Sequence, residues 1–292
     1  MLHDKYSLSL FEIYLSNVFN RLYSFGRMIK AFTLLLLIVP FQVSAETVYF
    51  SDDFESGNLS KWTYSVPKAV IQSTDVNNGN GSLFIPFDVA AGGDAHLDNN
   101  RFAEVDLSSK DIEHYFLRGC VMMSSKVDAP RVYSPGASKK LFFIFSENQG
   151  SAGKWDLMVS MNGGVNGVPL SISVGSNYYP EYSDLSYPEW EVAAGKLQHD
   201  RWHCLEVEMK LNTPGQKNGL TRLWVDGVLE FEKVNISIRS DSRNLGIVRV
   251  GAQLDRHGDN NARAEDRYWD DIKVSDTFSS IRPNPPINLA QD

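Results

Sequence analysis

The sequence predicts an all-β protein, a β-sandwich of two antiparallel sheets, and three observations carry that prediction. From Glu46 onward, short runs rich in β-branched and aromatic residues alternate with clusters of Gly, Asn, Pro and Asp. No stretch keeps the apolar period of a long helix. The run TRLWVDGVLEFEK, 221–233, reads as a hairpin, because Asp226-Gly227 accepts the positive φ values of a type I′ turn between two alternating strands.

Taken in order, the predicted strands are 47–54, 82–87, 102–107, 115–124, 140–145, 155–161, 170–174, 202–211, 221–225, 228–233, 247–254 and 268–274. A dozen strands with no interleaved helices stack as two sheets rather than forming a parallel α/β core. With 42% hydrophobic and 12% aromatic residues in 292, the chain buries a sizeable core, and all-β sandwiches of this length form one domain.

Upstream of the strands, residues 28–45 read MIKAFTLLLLIVPFQVSA. Arg27 and Lys30 give a positive start, 31–39 an apolar stretch too short to span a bilayer, and Val43-Ser44-Ala45 a small-residue cleavage site. The segment is expected to be a signal peptide cut before Glu46, with Met28 as the start, so the protein is secreted or periplasmic. The domain plan is then 1–45 leader, 46–278 β-domain and 279–292 Pro-rich tail, which reads IRPNPPINLAQD from Ile281 as an extended end segment or tether.

Without 1–45, which hold four basic and two acidic residues, the mature chain keeps 24 Lys+Arg against 34 Asp+Glu, a net charge of -10. That excludes nucleic acid as an expected partner. No membrane contact is expected of the mature form, which is expected to be a monomer. Cys120 and Cys204 both lie in strand-like runs, outside any zinc-ligand spacing, and two readings stay open, a disulfide in an oxidising compartment and two buried thiols.

Three stretches carry a family resemblance: FSDDFESG at 50–57, WHCLEVEMKLNTPGQKNGLTRLWVDG at 202–227 and YWDDIKV at 268–274. Together they resemble the polysaccharide-lyase-like branch of the concanavalin A-like jelly rolls, over most of 46–277. That branch includes glucuronan and alginate lyases and a related fungal secreted cellulose-associated protein. The resemblance implies a jelly roll with a concave sheet that meets polysaccharide. It also implies a structural calcium ion near the first and last strands, with Glu55, Asn78, the backbone of Gly81 and Asp270 matching the ligand pattern, and no organic cofactor. The alternative for these acids is that Asp52, Asp53, Asp270 and Asp271 blunt sheet edges and cap turns.

Alternation within strands sorts candidate groove residues from core. In 115–123, Leu117, Gly119 and Val121 face one way and Phe116, Arg118, Cys120 and Met122 the other. In 247–255, Val248, Val250, Ala252 and Leu254 read as core, which leaves Arg249, Gly251, Gln253 and Asp255 opposite. In 102–107, Val105 and Leu107 oppose Phe102, Glu104 and Asp106.

A β-eliminating lyase needs a cation or amide to neutralise a uronate carboxylate, a base for the C5 proton and an acid for the leaving oxygen. Arg118, Arg249 and Gln253, with Lys140, are the candidates for neutralisation. Tyr178, Tyr179 and Tyr182 are the acid/base candidates, with His96 and His257 as other loop candidates. Phe102, Glu104, Asp255 and Trp190 complete the substrate-binding set. His203 reads as a structural histidine.

The expected activity is β-elimination of an acidic polysaccharide. The alternative is a noncatalytic carbohydrate-binding protein, because Phe102 stands where the alginate-lyase R-x-E-L strand has arginine, and 155–161 lacks the His and Arg of glucuronan-lyase-like members. A hydrolase reading rests on Glu206 and Glu208 sharing a face, but the E-x-D-x-x-E motif is missing.

Overall fold

The computed structural model describes residues 45–87, 102–123, 139–146, 155–162, 171–176, 184–185, 189–251 and 265–279. The chain divides after residue 45, and Glu46–Asp292 is one compact unit. In chain order the strands are β1 (Val48–Asp52), β2 (Tyr64–Ser65), β3 (Val70–Gln72), β4 (Ser82–Phe87), β5 (Ala103–Asp106), β6 (His114–Met123), β7 (Lys139–Ser146) and β8 (Asp156–Asn162). They continue as β9 (Ser171–Gly175), β10 (Glu189–Val192), β11 (His203–Lys210), β12 (Gly219–Val225), β13 (Val228–Ile236), β14 (Leu245–Val250) and β15 (Glu265–Ser275). One turn of 3-10 helix, Ser108–Lys110, is the only helical element among the described residues.

The strands form two antiparallel sheets. The larger, of eight strands, runs β13-β12-β11-β6-β15-β4-β3 with β1 also paired to β15; the smaller, of seven, runs β10-β9-β8-β7-β14-β5-β2. The predicted sandwich and its hairpin are both present: Asp226 (φ 51) and Gly227 (φ 78) turn the chain between Val225 and Val228. β2, β3 and β10, of two to four residues, are too short to leave an alternating signal. β14 stops at Val250, before the predicted end at 254, and Gly251 takes φ 71. Gln253 and Asp255 lie outside the described residues.

Side chains of both sheets meet in one core. Trp269 of β15 lies 5.3 Å from Phe142 of β7, on the opposite sheet. Phe142 also bears on Gly119: a Cβ there would sit 3.0 Å from its Cζ and 2.5 Å from Ile272 Cδ1, so a side chain at this position would have to displace both. Arg267, fully buried, spans the layer and donates from Nη1 to the Lys140 carbonyl at 2.6 Å.

The FSDDFESG run pins the chain start to the sandwich. Asp52 is buried and accepts from Trp62 Nε1 at 2.8 Å and from Lys61 Nζ at 3.1 Å, while Phe54, at φ 58, stacks on the same indole. Asp52 thus works as the turn and edge residue that the structural alternative expected. His203 is likewise structural. It is 1% exposed, its Nδ1 meets Asp226 Oδ2 at 2.8 Å, and its Nε2 accepts the Gln198 N–H at 3.0 Å.

Of the two readings left open for the cysteines, the disulfide holds: Cys120 and Cys204 are joined. They are direct partners in the β6–β11 ladder. Such a bond fits an oxidising compartment. Residues 28–44 lie outside the described residues.

Candidate functional site

The outward face of the smaller sheet is built by alternation. Ala103, Val105, Phe142, Ile144, Leu157, Val159, Ile172, Val174, Val248 and Val250 all enter the core, so their strand neighbours point away from it. Cross-strand register lays those neighbours in lateral rows. Asp106, Ile247, Phe145 and Asp156 form one. Tyr64, Glu104, Arg249, Phe143 and Met158 form the next. Lys140, Ser160 and Ser173 form the third.

Four predicted residues therefore come together on this face: Phe102, Glu104, Lys140 and Arg249. Arg249 donates from Nε to Glu104 Oε2 at 2.5 Å, and its guanidinium lies 4.5 Å from the Phe102 ring and 4.7 Å from the Phe145 ring. The guanidinium thus has one carboxylate partner and two aromatic rings within cation–π reach. Lys140 is fully buried, with Nζ 4.9 Å from the Phe143 ring centroid.

Two further residues, Ser160 and Ser173, belong to this face without having a sequence signature. The Ser160 and Ser173 side chains are fully buried beside Lys140, and neither hydroxyl has a hydrogen-bond partner among the described residues. Leaving a buried hydroxyl unmatched costs about 1–3 kcal/mol, so an incoming acceptor is favoured there. Alternation in WDLMVSM, 155–161, with Leu157 and Val159 inward, already sets Ser160 on the outer face. Serine carries no signal of its own, and the row becomes visible only through register.

Arg118 is not part of this set, which corrects the expectation that Arg118 and Arg249 together neutralise one carboxylate. β6 belongs to the larger sheet, so Arg118 points out on the opposite side of the sandwich. Its Nη2 lies 3.8 Å from Asp271 Oδ2 and 3.8 Å from Cys120 Sγ. Burial pulls its guanidinium pKa down, opposed by Asp271, Glu206 and Asp270. Arg118→Ala should lower stability by about 1–2 kcal/mol, because Asp271 loses its cation, and thermal melts of variant and wild type check this.

Glu206 and Glu208 do share a face, on that same larger sheet, but both carboxylates are engaged. Glu208 meets His114 Nε2 at 2.8 Å and Arg222 Nη1 at 2.9 Å, and Glu206 accepts the Ser279 N–H at 2.7 Å.

Tyr178, Tyr179, Tyr182, His96, His257, Gln253 and Asp255 lie outside the described residues. Trp190 falls on β10, and its side chain is outside them too.

The four calcium candidates converge on one turn, but through N–H donors. Glu55 Oε1 accepts from the backbone N–H of Asn80 (2.7 Å) and Gly81 (2.9 Å), and Oε2 from Asn80 Nδ2 at 3.1 Å. Asp270 Oδ2 accepts from the N–H of Asn77 and Asn78, both at 3.0 Å, and Oδ1 from that of Asp271 at 2.7 Å. Burial raises the Asp270 carboxyl to about 7.

Calcium requires six to eight oxygen ligands about a common point. Here both carboxylates accept N–H groups of the turn, the capping role that the alternative gave Asp270. Chelation should leave the melting temperature unchanged; a fall of several degrees, reversed by added calcium, would overturn this.

No family model matches the chain, and no curated protein matches it. Solved structures do. The chain is similar to the endo-β-1,4-glucuronan lyase from the fungus Trichoderma reesei, at 16% identity over 82% of this chain and 99% of that one, with a TM-score of 0.56. A double mutant of the alginate lyase Aly36B in complex with alginate trisaccharide aligns over 81% and 98% at 12% identity, TM-score 0.56. Alginate lyase vAL-1 from Chlorella virus aligns over 78% and 99% at 13% identity, TM-score 0.55. The likeness is one of fold, and the jelly roll expected from the sequence is the fold these lyases share.

Proposed function

We propose that the protein is a secreted lyase that cleaves a uronate-containing polysaccharide by β-elimination on the outward face of the smaller sheet. The observation that carries this reading is the row Lys140, Ser160, Ser173: a buried cation beside two buried hydroxyls without partners among the described residues. That combination suits a carboxylate, which takes charge from the ammonium and hydrogen bonds from the hydroxyls. Neutralising the carboxylate acidifies the C5 proton and stabilises the enolate-like charge that develops when it leaves.

The base takes that proton, the C5–H electron pair becomes the C4–C5 double bond, the C4–O bond breaks, and an acid protonates the departing oxygen. Tyr178 and Tyr182 are assigned these two transfers, with Gln253 as a second partner for the carboxylate. Phe102 and the Arg249–Glu104 pair offer the neighbouring sugar a stacking surface. The glucuronan and alginate lyases that share the fold support the substrate class.

One observation favours the noncatalytic alternative. Arg249 is already neutralised by Glu104 and walled by two rings, which suits it to a glycan-binding platform better than to a charge-neutralising role. A panel of glucuronan, alginate and xylan-derived glycans separates the two readings. Unsaturated ends absorbing in the ultraviolet support the lyase; a flat trace with retention on one of these glycans supports the binding protein. No product and no retention would sink both.

A further inference from the structure

The larger sheet also has an outward face, and the end of the described chain lies on it. Ser275 closes β15 opposite Phe116 of β6. The backbone N–H of Asp276 donates to the Thr47 carbonyl at 3.1 Å, and its Oδ1 accepts the Thr47 N–H at 2.9 Å. From there the chain turns across the sheet. The Phe278 ring lies 6.0 Å from Phe116 and 4.6 Å from Trp224 of β12, and the Ser279 N–H reaches Glu206 of β11 at 2.7 Å. Four residues carry it from β15 over β6 to β11 and β12. The next apolar group on that path is Leu229 of β13, paired with Trp224 and 47% exposed.

We propose that this face, from β11 to β13, is the docking surface of the chain's own C-terminal segment, residues 280–292. The segment suits such a path. Pro283, Pro285 and Pro286 favour an extended backbone that needs no ladder partner. Ile281, Ile287 and Leu289 supply apolar groups for the strip of Phe116, Trp224 and Leu229.

Reach is ample: thirteen extended residues cover about 40 Å, against about 10 Å from β11 to β13. A second copy of the chain is the competing occupant. The tethered segment has the advantage, because its first residues are already seated and the rest binds at high effective concentration. The segment thus lies along the domain rather than leading away from it, on the side opposite Lys140.

Hydrogen exchange on the full chain and on a chain ending at Ser279 tests this. Truncation should raise exchange of the β12 and β13 amides about fivefold, and a peptide of residues 280–292 added in trans should restore protection, with β8 and β9 unchanged. The full-length double variant I287D/L289D should match the truncation, which keeps the test sound if the shortened chain folds poorly. Unchanged exchange in both proteins would overturn the docking. So would protection that rises with protein concentration, which would mark a second copy as the occupant.

Discussion

Lys140→Ala is expected to lower β-elimination of a uronate polysaccharide by about a hundredfold to a thousandfold, the scale of removing one preorganised charge-stabilising group from a water-poor site. The size follows from where the ammonium sits. It is fully buried against Phe143, away from the high-dielectric solvent that weakens surface charges. A uronate carboxylate held there gains charge as the C5 proton leaves, so the cation stabilises the transition state more than the bound substrate, and the loss should fall on kcat more than on KM.

Ser160→Ala and Ser173→Ala should each cost about tenfold, because each removes one hydrogen bond while the cation stays. Arg249→Ala should act mainly on KM, since its charge is already matched by Glu104. Unsaturated-product assays on the four variants, each shown folded by its melt, check this ranking. A folded Lys140→Ala protein with activity within a few-fold of wild type would remove the Lys140 row from the mechanism.

The sequence was most legible where physics is local. Asp226-Gly227 required a hairpin, and alternation in β5, β6 and β14 told inward from outward correctly at Val105, Leu117 and Val248. Alternation, however, speaks only for one strand. It set Arg118 and Arg249 outward in their own strands but carried no information on which sheet each strand joins, and the two arginines prove to lie on opposite sides of the sandwich. The same limit hid Ser160 and Ser173, whose meaning comes from standing beside Lys140 across three strands that register alone brings together. In the turn near β4, the oxygens of Glu55 and Asp270 matched a calcium pattern as residue types, and in the fold they accept the backbone N–H groups of Asn77, Asn78, Asn80 and Gly81. Backbone direction is a tertiary property.

The cysteine pair shows the same dependence and yields the largest expected change in stability. Replacing Cys120 and Cys204 together by alanine should cost about 4 kcal/mol, because the bond joins residues 84 apart and a loop of that length gains much entropy when released in the unfolded chain. For a domain of this size that is a fall of about 10 °C in melting temperature. The effect should come mainly through the unfolded state. Cys120 and Cys204 already face each other in a ladder running from His203–Val121 to Lys210–His114, so the native strands hold their places without the bond.

The released loop contains β7, β8 and β9, the strands that carry Lys140, Ser160 and Ser173. Below its melting temperature the double variant should therefore keep its β-sheet signal and its glycan retention. Alanine variants are the right probe, because both cysteines are buried and a reductant acts slowly on a folded sandwich. Melts of wild type and variant that agree within a degree or two would show that the bond contributes little; loss of retention at low temperature would show that it shapes the native face as well. With the predicted values, the same chain made without its disulfide is several kcal/mol less stable, so conditions that let the bond form become part of how the fold is maintained.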